Sequence, residues 1–224
     1  KTINYINKKI FMKINLLIEK KSWAIDYLDK ILFECKKIFK NSKIIYAAKN
    51  IRRNSDVTII FSYFKIIDQE LLSRSKYNII PHESDLPKGR GMSPLTWQIL
   101  EGKKKIFFSL IEASKKIDQG KIYYKKKVNV ENSLLFKEIK ILQLKKNLQL
   151  IIRFLKYLKI HKKSPKSFKQ KSSASYYHIR KPEDSQLNVN KSIKSQFNLL
   201  RVADFKNYPN FFFYKKKKIF NKTN

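Results

Sequence analysis

The chain has 224 residues, of which 42% are hydrophobic and 13% aromatic, so it can build the core of one domain with a small appendage. Its single cysteine, Cys35, can form neither an internal disulfide nor a zinc site by itself. No apolar run reaches the ~20 residues that span a bilayer, and the first residues lack the pattern of a secretory signal. We expect a reduced, cytoplasmic protein with no membrane segment and no bound metal.

The formal net charge of +34 raises the question of nucleic-acid binding, because clustered cations release counterions from phosphate backbones. Only seven of the 51 basic residues are arginine, although recognition of phosphates and bases favours the planar fork of arginine. Lysine is abundant together with Ile, Asn, Phe and Tyr, which share A/T-rich codons with it. The charge therefore favours a compositional origin, and nucleic-acid binding stays an alternative.

Taken in chain order, predicted strands alternate with predicted helices, which indicates a parallel α/β sheet. Strands are predicted near 13–18, 43–47, 57–62, 77–82, 106–111 and 121–125. Helices are predicted over 22–39, 66–74, 93–102, 131–162 (one helix or a pair) and 192–205. The third helix is expected to be capped by Ser93 and closed by Gly102. The residues FFFY and KKKKIF (211–220) predict a terminal strand pair.

Residues that fix unusual backbone shapes cluster in one window. All four glycines lie between Gly89 and Gly120, and three of the six prolines lie between Pro81 and Pro94. Residues 78–120 are also nearly neutral, with seven basic and five acidic side chains. Because α/β proteins place ligands in the irregular loops at strand ends, this window is the candidate site.

Two side chains of this window can carry chemistry. His82 follows an apolar strand, where a histidine can act as a general acid/base or an oxyanion donor, or simply bind the backbone. Asp118 lies in the turn before the next strand, where an aspartate often has only a structural role. Such positions share one edge of a parallel sheet, so we expect the two side chains to lie within direct or one-water hydrogen-bond reach.

Three motifs taken together resemble the formyltransferase family: HESDLPKGRG (82–91), SPLTWQILEG (93–102) and IDQG (117–120). That family includes the glycinamide ribonucleotide, methionyl-tRNA and amino-sugar formyltransferases. The resemblance implies a Rossmann-like, doubly wound and mostly parallel sheet, with 10-formyltetrahydrofolate as the co-substrate. It implies a catalytic domain over 12–162 and a small C-terminal segment over 176–224. The Ser/Lys-rich composition of the residues between them predicts a flexible linker over 163–175. Residues 1–11 have no counterpart in it.

The resemblance also implies roles for individual residues. An acceptor amine would attack the formyl carbon to give a tetrahedral intermediate, with His82 donating to its oxyanion and Asp118 orienting the imidazole. The family usually carries a catalytic asparagine two positions before the histidine, and that position is Ile80 here. Asn78 is a candidate replacement on the same strand face, roughly 6–7 Å farther along the strand.

Further residues are assigned by the same resemblance. Those expected to flank the pterin of the folate are Tyr63, Phe64, Lys65, Ile66, Lys116 and Ile117. Those expected to shape the loops between folate and acceptor are Ser84, Leu86, Pro87, Gly89, Gly91 and Gly120.

Three functional interpretations remain open at the level of sequence. The motif HESDLPKG and a short C-terminal segment resemble a subgroup that formylates nucleotide-linked amino sugars, in which the asparagine position is commonly aliphatic. Methionyl-tRNA is the alternative acceptor, which the positive charge would suit, although the residues after the predicted linker are too few for the β-barrel of such enzymes. A non-catalytic nucleic-acid-binding protein is the third, and intact His82 and Asp118 argue against it. Homo-oligomerisation stays open.

Overall fold

A computed structural model describes residues 12–221, so the predicted extension over 1–11 lies outside the described residues. The strands are β1 Ile14–Leu17, β2 Ser42–Ile45, β3 Ser55–Ile60, β4 Ser75–His82, β5 Arg90–Gly91, β6 Lys105–Glu112, β7 Ile122–Asn129, β8 Tyr176–Tyr177, β9 Phe211–Tyr214 and β10 Lys217–Phe220. The α-helices are α1 Leu28–Ile38, α2 Gln69–Leu72, α3 Pro94–Leu100, α4 Phe136–His161 and α5 Phe197–Arg201. Shorter 3₁₀ turns cover Trp23–Tyr27, Ala48–Asn50, Pro182–Ser185 and Lys194–Gln196.

Six strands form one sheet in the order β2-β1-β3-β4-β6-β7. The pairs β1–β2, β1–β3 and β3–β4 are parallel, whereas β6 and β7 are antiparallel. The predicted α/β class with a mostly parallel sheet is therefore confirmed. The four residues of β1 are all fully buried, as expected of a parallel strand with both faces covered.

The chain divides into two compact units, and the first consists of residues up to Ile80 together with Ile151–Pro165. It holds the three parallel strands β1–β3, most of β4 and the last turns of α4. Helix α1 turns Ile31 and Cys35 into the core, where both are fully buried. Burial, with a smaller effect from neighbouring Glu34, raises the pKa of the Cys35 thiol to about 12.

The second unit consists of Pro81–Leu150 together with the chain from Lys166 onward. It contains the β6–β7 hairpin, α3, the first turns of α4 and the C-terminal elements. The predicted terminal strand pair is confirmed as the antiparallel hairpin β9–β10. None of the helices within residues 12–221 is long and apolar enough to cross a membrane.

The structure corrects several details of the sequence-based expectations. The first helix begins as the 3₁₀ turn Trp23–Tyr27 and becomes α-helical only at Leu28. Of the two alternatives for the long helix, the structure confirms a single helix. The expected cap by Ser93 is wrong, because this residue has φ 50° and its side chain makes no capping bond. The helix predicted over 192–205 is shorter, since only a 3₁₀ turn and the brief α5 form there.

Candidate active site

His82 is the last residue of β4, at the carboxyl end of the strand, which is the usual position of ligand-binding residues in open α/β sheets. Its side chain is 7% exposed. The ring atom Nε2 lies 2.9 Å from the backbone carbonyl oxygen of Gly89. The other ring nitrogen, Nδ1, lies 3.8 Å from Oδ1 of Asp118. Both nitrogens of the imidazole therefore face an oxygen.

Asp118 lies in the turn that joins β6 to β7, with φ 54° in the left-handed region. Its carboxylate is 11% exposed and accepts a hydrogen bond from the backbone N–H of Gly91, at 2.8 Å to Oδ2. This position differs from the one expected for Asp118 in a parallel sheet. The turn belongs to an antiparallel hairpin, so it lies where β6 ends rather than at the start of a parallel neighbour.

The neighbours of His82 determine which of its nitrogens carries hydrogen. A carbonyl oxygen can only accept, so Nε2 must carry a hydrogen that it donates to Gly89. In the neutral ring Nδ1 would then be an acceptor facing the acidic oxygen of Asp118. An imidazolium, with N–H groups on both nitrogens, complements both neighbours. Nδ1 is thus the ring nitrogen that faces the Asp118 carboxylate.

Two positions near His82 and Asp118 require glycine because another backbone segment passes very close to them. A Cβ on Gly91, which has φ 95°, would lie 2.2 Å from the backbone oxygen of Tyr177. A Cβ on Gly120 would lie 1.6 Å from the backbone oxygen of Glu112. No side chain fits at either distance, so both positions need glycine, as expected for loop-shaping residues.

The other predicted loop-shaping residues follow His82 closely in the chain and are buried. The backbone oxygen of Ser84 accepts a hydrogen bond from the Ser109 hydroxyl at 2.8 Å, and that of Leu86 accepts one from Lys125 Nζ at 3.0 Å. The Leu86–Pro87 peptide bond is cis. Within residues 12–221 the Ser84 hydroxyl, only 1% exposed, has no hydrogen-bond partner. A buried hydroxyl without a partner can bind a polar atom of a ligand.

The residues predicted to flank a pterin occupy two loops, one in each unit. In the first unit, the loop after β3 holds residues 63–66, and its Phe64 and Ile66 are 50% and 73% exposed. In the second unit, Lys116 and Ile117 lie in the β6–β7 turn, and Ile117 is 54% exposed. Exposed apolar side chains in loops are available to contact a flat ring.

Asn78 has local partners in the first unit. Its amide nitrogen donates to the backbone oxygen of Leu72 at 2.9 Å and to that of Ser75 at 3.5 Å. These bonds join the end of α2 to the beginning of β4. The structure thus gives Asn78 a role in anchoring its strand, and its candidacy as the missing catalytic asparagine stays a prediction.

The residue after the histidine holds the strand end from the opposite side. Glu83 is buried, and its carboxylate accepts a hydrogen bond from Asn147 of α4 at 2.5 Å, while its backbone oxygen accepts one from Gln98 of α3 at 2.6 Å. Burial lowers the pKa of nearby Lys140 to about 8, although the charge of Glu83 opposes the shift. Burial also lowers the pKa of Arg180. His82 therefore projects from a strand end whose neighbours are fixed to two helices.

Sequence reasoning missed a second group of polar residues beside Asp118. Gln170, in the stretch predicted to be a flexible linker, donates to the backbone oxygens of Asp118 at 2.7 Å and Gly120 at 2.9 Å. Its carbonyl oxygen accepts two hydrogen bonds from Arg90. The Arg-Gly turn was visible in the motif, but a lone glutamine among lysines and serines gives no signal. Within residues 12–221 no group of three or more His, Cys, Asp or Glu side chains could hold a metal.

Comparison with known proteins adds an independent line of information. The family model described as Formyl transferase matches residues 19–155. The bifunctional polymyxin resistance protein ArnA of Wigglesworthia glossinidia brevipalpis is 27% identical over 95% of this chain and 34% of its own length. The methionyl-tRNA formyltransferase of Thermotoga neapolitana is 31% identical over 67% of this chain and 48% of its own length. The chain thus spans between a third and a half of these relatives.

A solved structure supports the fold over nearly the whole chain. The N-formyltransferase from Helicobacter canadensis, in complex with folinic acid and dTDP-3-aminofucose, has a TM-score of 0.68 and 18% identity. The similarity covers 93% of this chain and 86% of that one. At this identity the match shows a common fold.

Proposed function

Because this chain belongs to the formyltransferase family, we propose that it transfers a formyl group from 10-formyltetrahydrofolate to the amine of a nucleotide-linked amino sugar. The observation that carries the proposal is the placement of His82, buried between the Gly89 carbonyl and the Asp118 carboxylate. The catalytic part would comprise residues 12–162, and residues 176–224 would form the small C-terminal segment.

The chemistry of this side chain pair suits formyl transfer. The folate supplies an activated formyl group whose oxygen becomes negatively charged when an amine attacks its carbon. His82 moves the proton in this reaction: its ring takes up the proton that the attacking amine releases and returns it to the folate nitrogen when the C–N bond breaks, while a ring N–H stabilises the charged oxygen. Asp118 keeps the ring in its orientation and stabilises the protonated form by its charge.

Each of the two loops predicted to flank the pterin, taken by itself, exposes apolar side chains that suit a flat ring. Phe64 and Ile66 do so in the first unit, and Ile117 does so in the second. Folinic acid is itself a formylated tetrahydrofolate, and its presence in the Helicobacter canadensis complex supports the same class of donor for this chain.

The choice of an amino sugar as acceptor rests on the motif and on the relatives. The form HESDLPKG, with an aliphatic Ile80 in place of the asparagine, resembles the amino-sugar subgroup. The Helicobacter canadensis N-formyltransferase, which has a similar fold, is in complex with dTDP-3-aminofucose, a nucleotide-linked amino sugar, and this supports an acceptor of the same class here.

The proposal is tested by incubating the protein with 10-formyltetrahydrofolate and a panel of UDP- and dTDP-linked amino sugars. We expect one sugar to gain the mass of one formyl group, and His82→Ala to abolish this gain. A full panel without any mass gain, under conditions in which the protein binds folinic acid, would contradict the amino-sugar acceptor.

Methionyl-tRNA is the second candidate acceptor, because a relative at 31% identity carries that name and the chain has a net charge of +34. The same assay distinguishes the two, since formylation of charged initiator tRNA with no sugar product would replace the first proposal with the second. Formylation of neither, together with tight RNA binding, would favour the non-catalytic alternative.

A further inference from the structure

A segment beyond the long helix contacts both turns that face His82. We define it as the connecting segment, residues 168–177. Phe168 forms a backbone bridge with Ile122 at the start of β7, and β8 at its other end pairs with β5. Between these two anchors, the Ser175 hydroxyl accepts a hydrogen bond from the backbone N–H of Gly89 at 2.9 Å. The connecting segment therefore reaches the turn whose carbonyl binds His82.

The same segment reaches the turn of Asp118 through Gln170. The two amide hydrogens of Gln170 go to two backbone oxygens, those of Asp118 and Gly120. These bonds fix the backbone on both sides of the carboxylate. Since Asp118 has a left-handed φ of 54°, the conformation needs such support to persist.

Arg90 fixes the orientation of the Gln170 amide. Its guanidinium donates to the amide oxygen from Nε at 3.2 Å and from Nη2 at 2.6 Å. Backbone oxygens lie on one side of the amide and guanidinium hydrogens on the other, so only one of its two flipped forms satisfies all the bonds. Arg90 is itself 8% exposed and donates to the Tyr176 hydroxyl at 3.0 Å. The glutamine is therefore held rigidly on both sides.

We propose that Gln170 is a positioning residue that holds the Asp118 carboxylate in the place from which it orients the His82 ring. Its amide hydrogens bond to the backbone of the β6–β7 turn, so it acts on the Asp118 carboxylate through that backbone. This inference rests on the proposed function for its catalytic consequence, but its structural part can be measured without any substrate.

The chain offers an unusually direct probe of this role. It contains only four glycines, and three of them (Gly89, Gly91 and Gly120) lie in the two turns. Selective ¹⁵N-glycine labelling therefore gives four backbone amide resonances, of which Gly102 serves as a reference because nothing lies within 4 Å of its side-chain position. The Gly91 amide reports the carboxylate directly, since it donates to Asp118 Oδ2.

Two variants separate the bonds of Gln170. Gln170→Met removes all of them at similar size, whereas Gln170→Glu keeps an oxygen for Arg90 and loses the hydrogens given to the turn. In both we expect the Gly91 and Gly120 resonances to shift and the Gly91 amide to exchange faster, with Gly102 unchanged. A displaced catalytic group typically costs up to about 10²-fold in rate, so we expect kcat to fall roughly 10- to 100-fold with little change in the KM of the acceptor. The exposed neighbour Lys171→Met is the matched control and should change neither.

The outcomes distinguish this inference from the proposed function. Unmoved Gly91 and Gly120 resonances in both variants would overturn the role of Gln170, whatever the activity. Shifted resonances with a wild-type kcat would overturn its catalytic part. Failure of the wild-type protein to formylate any acceptor would instead contradict the proposed function.

Discussion

Replacing Asp118 by asparagine removes the negative charge beside His82 and leaves the shape of the side chain. An amide oxygen can still accept the hydrogen bond from Gly91, so the turn should survive. The carboxylate oxygen lies 3.8 Å from Nδ1 of His82, and both side chains are nearly buried. At that distance and an effective dielectric constant of about 20, an imidazolium and a carboxylate attract by roughly 4 kcal/mol.

This attraction sets an upper limit on the kinetic effect. If the ring gains its second proton only as the amine attacks, most of the roughly 4 kcal/mol stabilises the transition state, and each 1.4 kcal/mol is tenfold in rate. We therefore expect Asp118→Asn to lower kcat by about 10²- to 10³-fold. The assay is single-turnover formyl transfer at saturating donor and acceptor. Asp29→Asn, the same change at an exposed site, is the control and should leave kcat unchanged.

A double-mutant cycle with His82→Ala tests the coupling itself. If the carboxylate acts only through the ring, Asp118→Asn should cost little in a protein that already lacks the imidazole. Additive losses in the double variant would show that Asp118 acts independently of His82. Near-wild-type turnover of Asp118→Asn would refute the electrostatic argument altogether.

Three further predictions follow from the same contacts. Gly120→Ala should lower the free energy of unfolding by about 1–3 kcal/mol more than Gly102→Ala in urea denaturation, because only the former places a Cβ against backbone, 1.6 Å from an oxygen. Asn78→Ala should lower thermal stability, because it removes the hydrogen bonds to Leu72 and Ser75, while kcat falls far less than in His82→Ala. A loss of kcat as large as that in His82→Ala would instead identify Asn78 as the catalytic asparagine. The pKa of Lys140 is lowered by burial to about 8, so between about pH 8 and 10.5 the unfolded chain binds more protons. The difference between the unfolding free energies of the wild type and of Lys140→Met should therefore rise with pH across that window. A difference that does not change with pH would contradict the lowered pKa of Lys140.

The parts of the fold that sequence predicted well are those with strong local patterns. The apolar run at β1 is buried on both faces, and the six strands of the main sheet all lie close to their predicted positions. The prediction of a cap at Ser93 was wrong. A serine directly before a proline is the usual pattern at the start of a helix, but here the backbone of Ser93 adopts a left-handed conformation and its side chain makes no capping bond. The strand β5 has two residues and no pattern, since it forms only by pairing with β8, 86 residues later.

The residues of the candidate site likewise fall into those that the sequence indicated and one that it did not. His82, Asp118 and the glycines were found because residue types with special chemistry or special backbone freedom stood at family-like spacing. Gln170 was missed because its importance comes from four hydrogen bonds across 50 residues or more, and nothing in a lysine- and serine-rich stretch encodes them locally. Contacts of this length depend on the completed fold.

The charge of the chain determines how the acceptor has to be identified. A protein with a net charge of +34 binds any polyanion at low salt by releasing counterions, so its affinity for tRNA contains a large term that has no connection with its reaction. That term falls steeply as salt rises, whereas recognition of a reacting amine by a buried site such as that of His82 does not. Comparing kcat/KM for an amino-sugar nucleotide and for methionyl-tRNA at physiological salt therefore isolates the interaction made in the transition state. Because the reacting groups are nearly buried and the lysine excess lies elsewhere in the sequence, we expect raised salt to weaken RNA binding while leaving sugar formylation nearly constant.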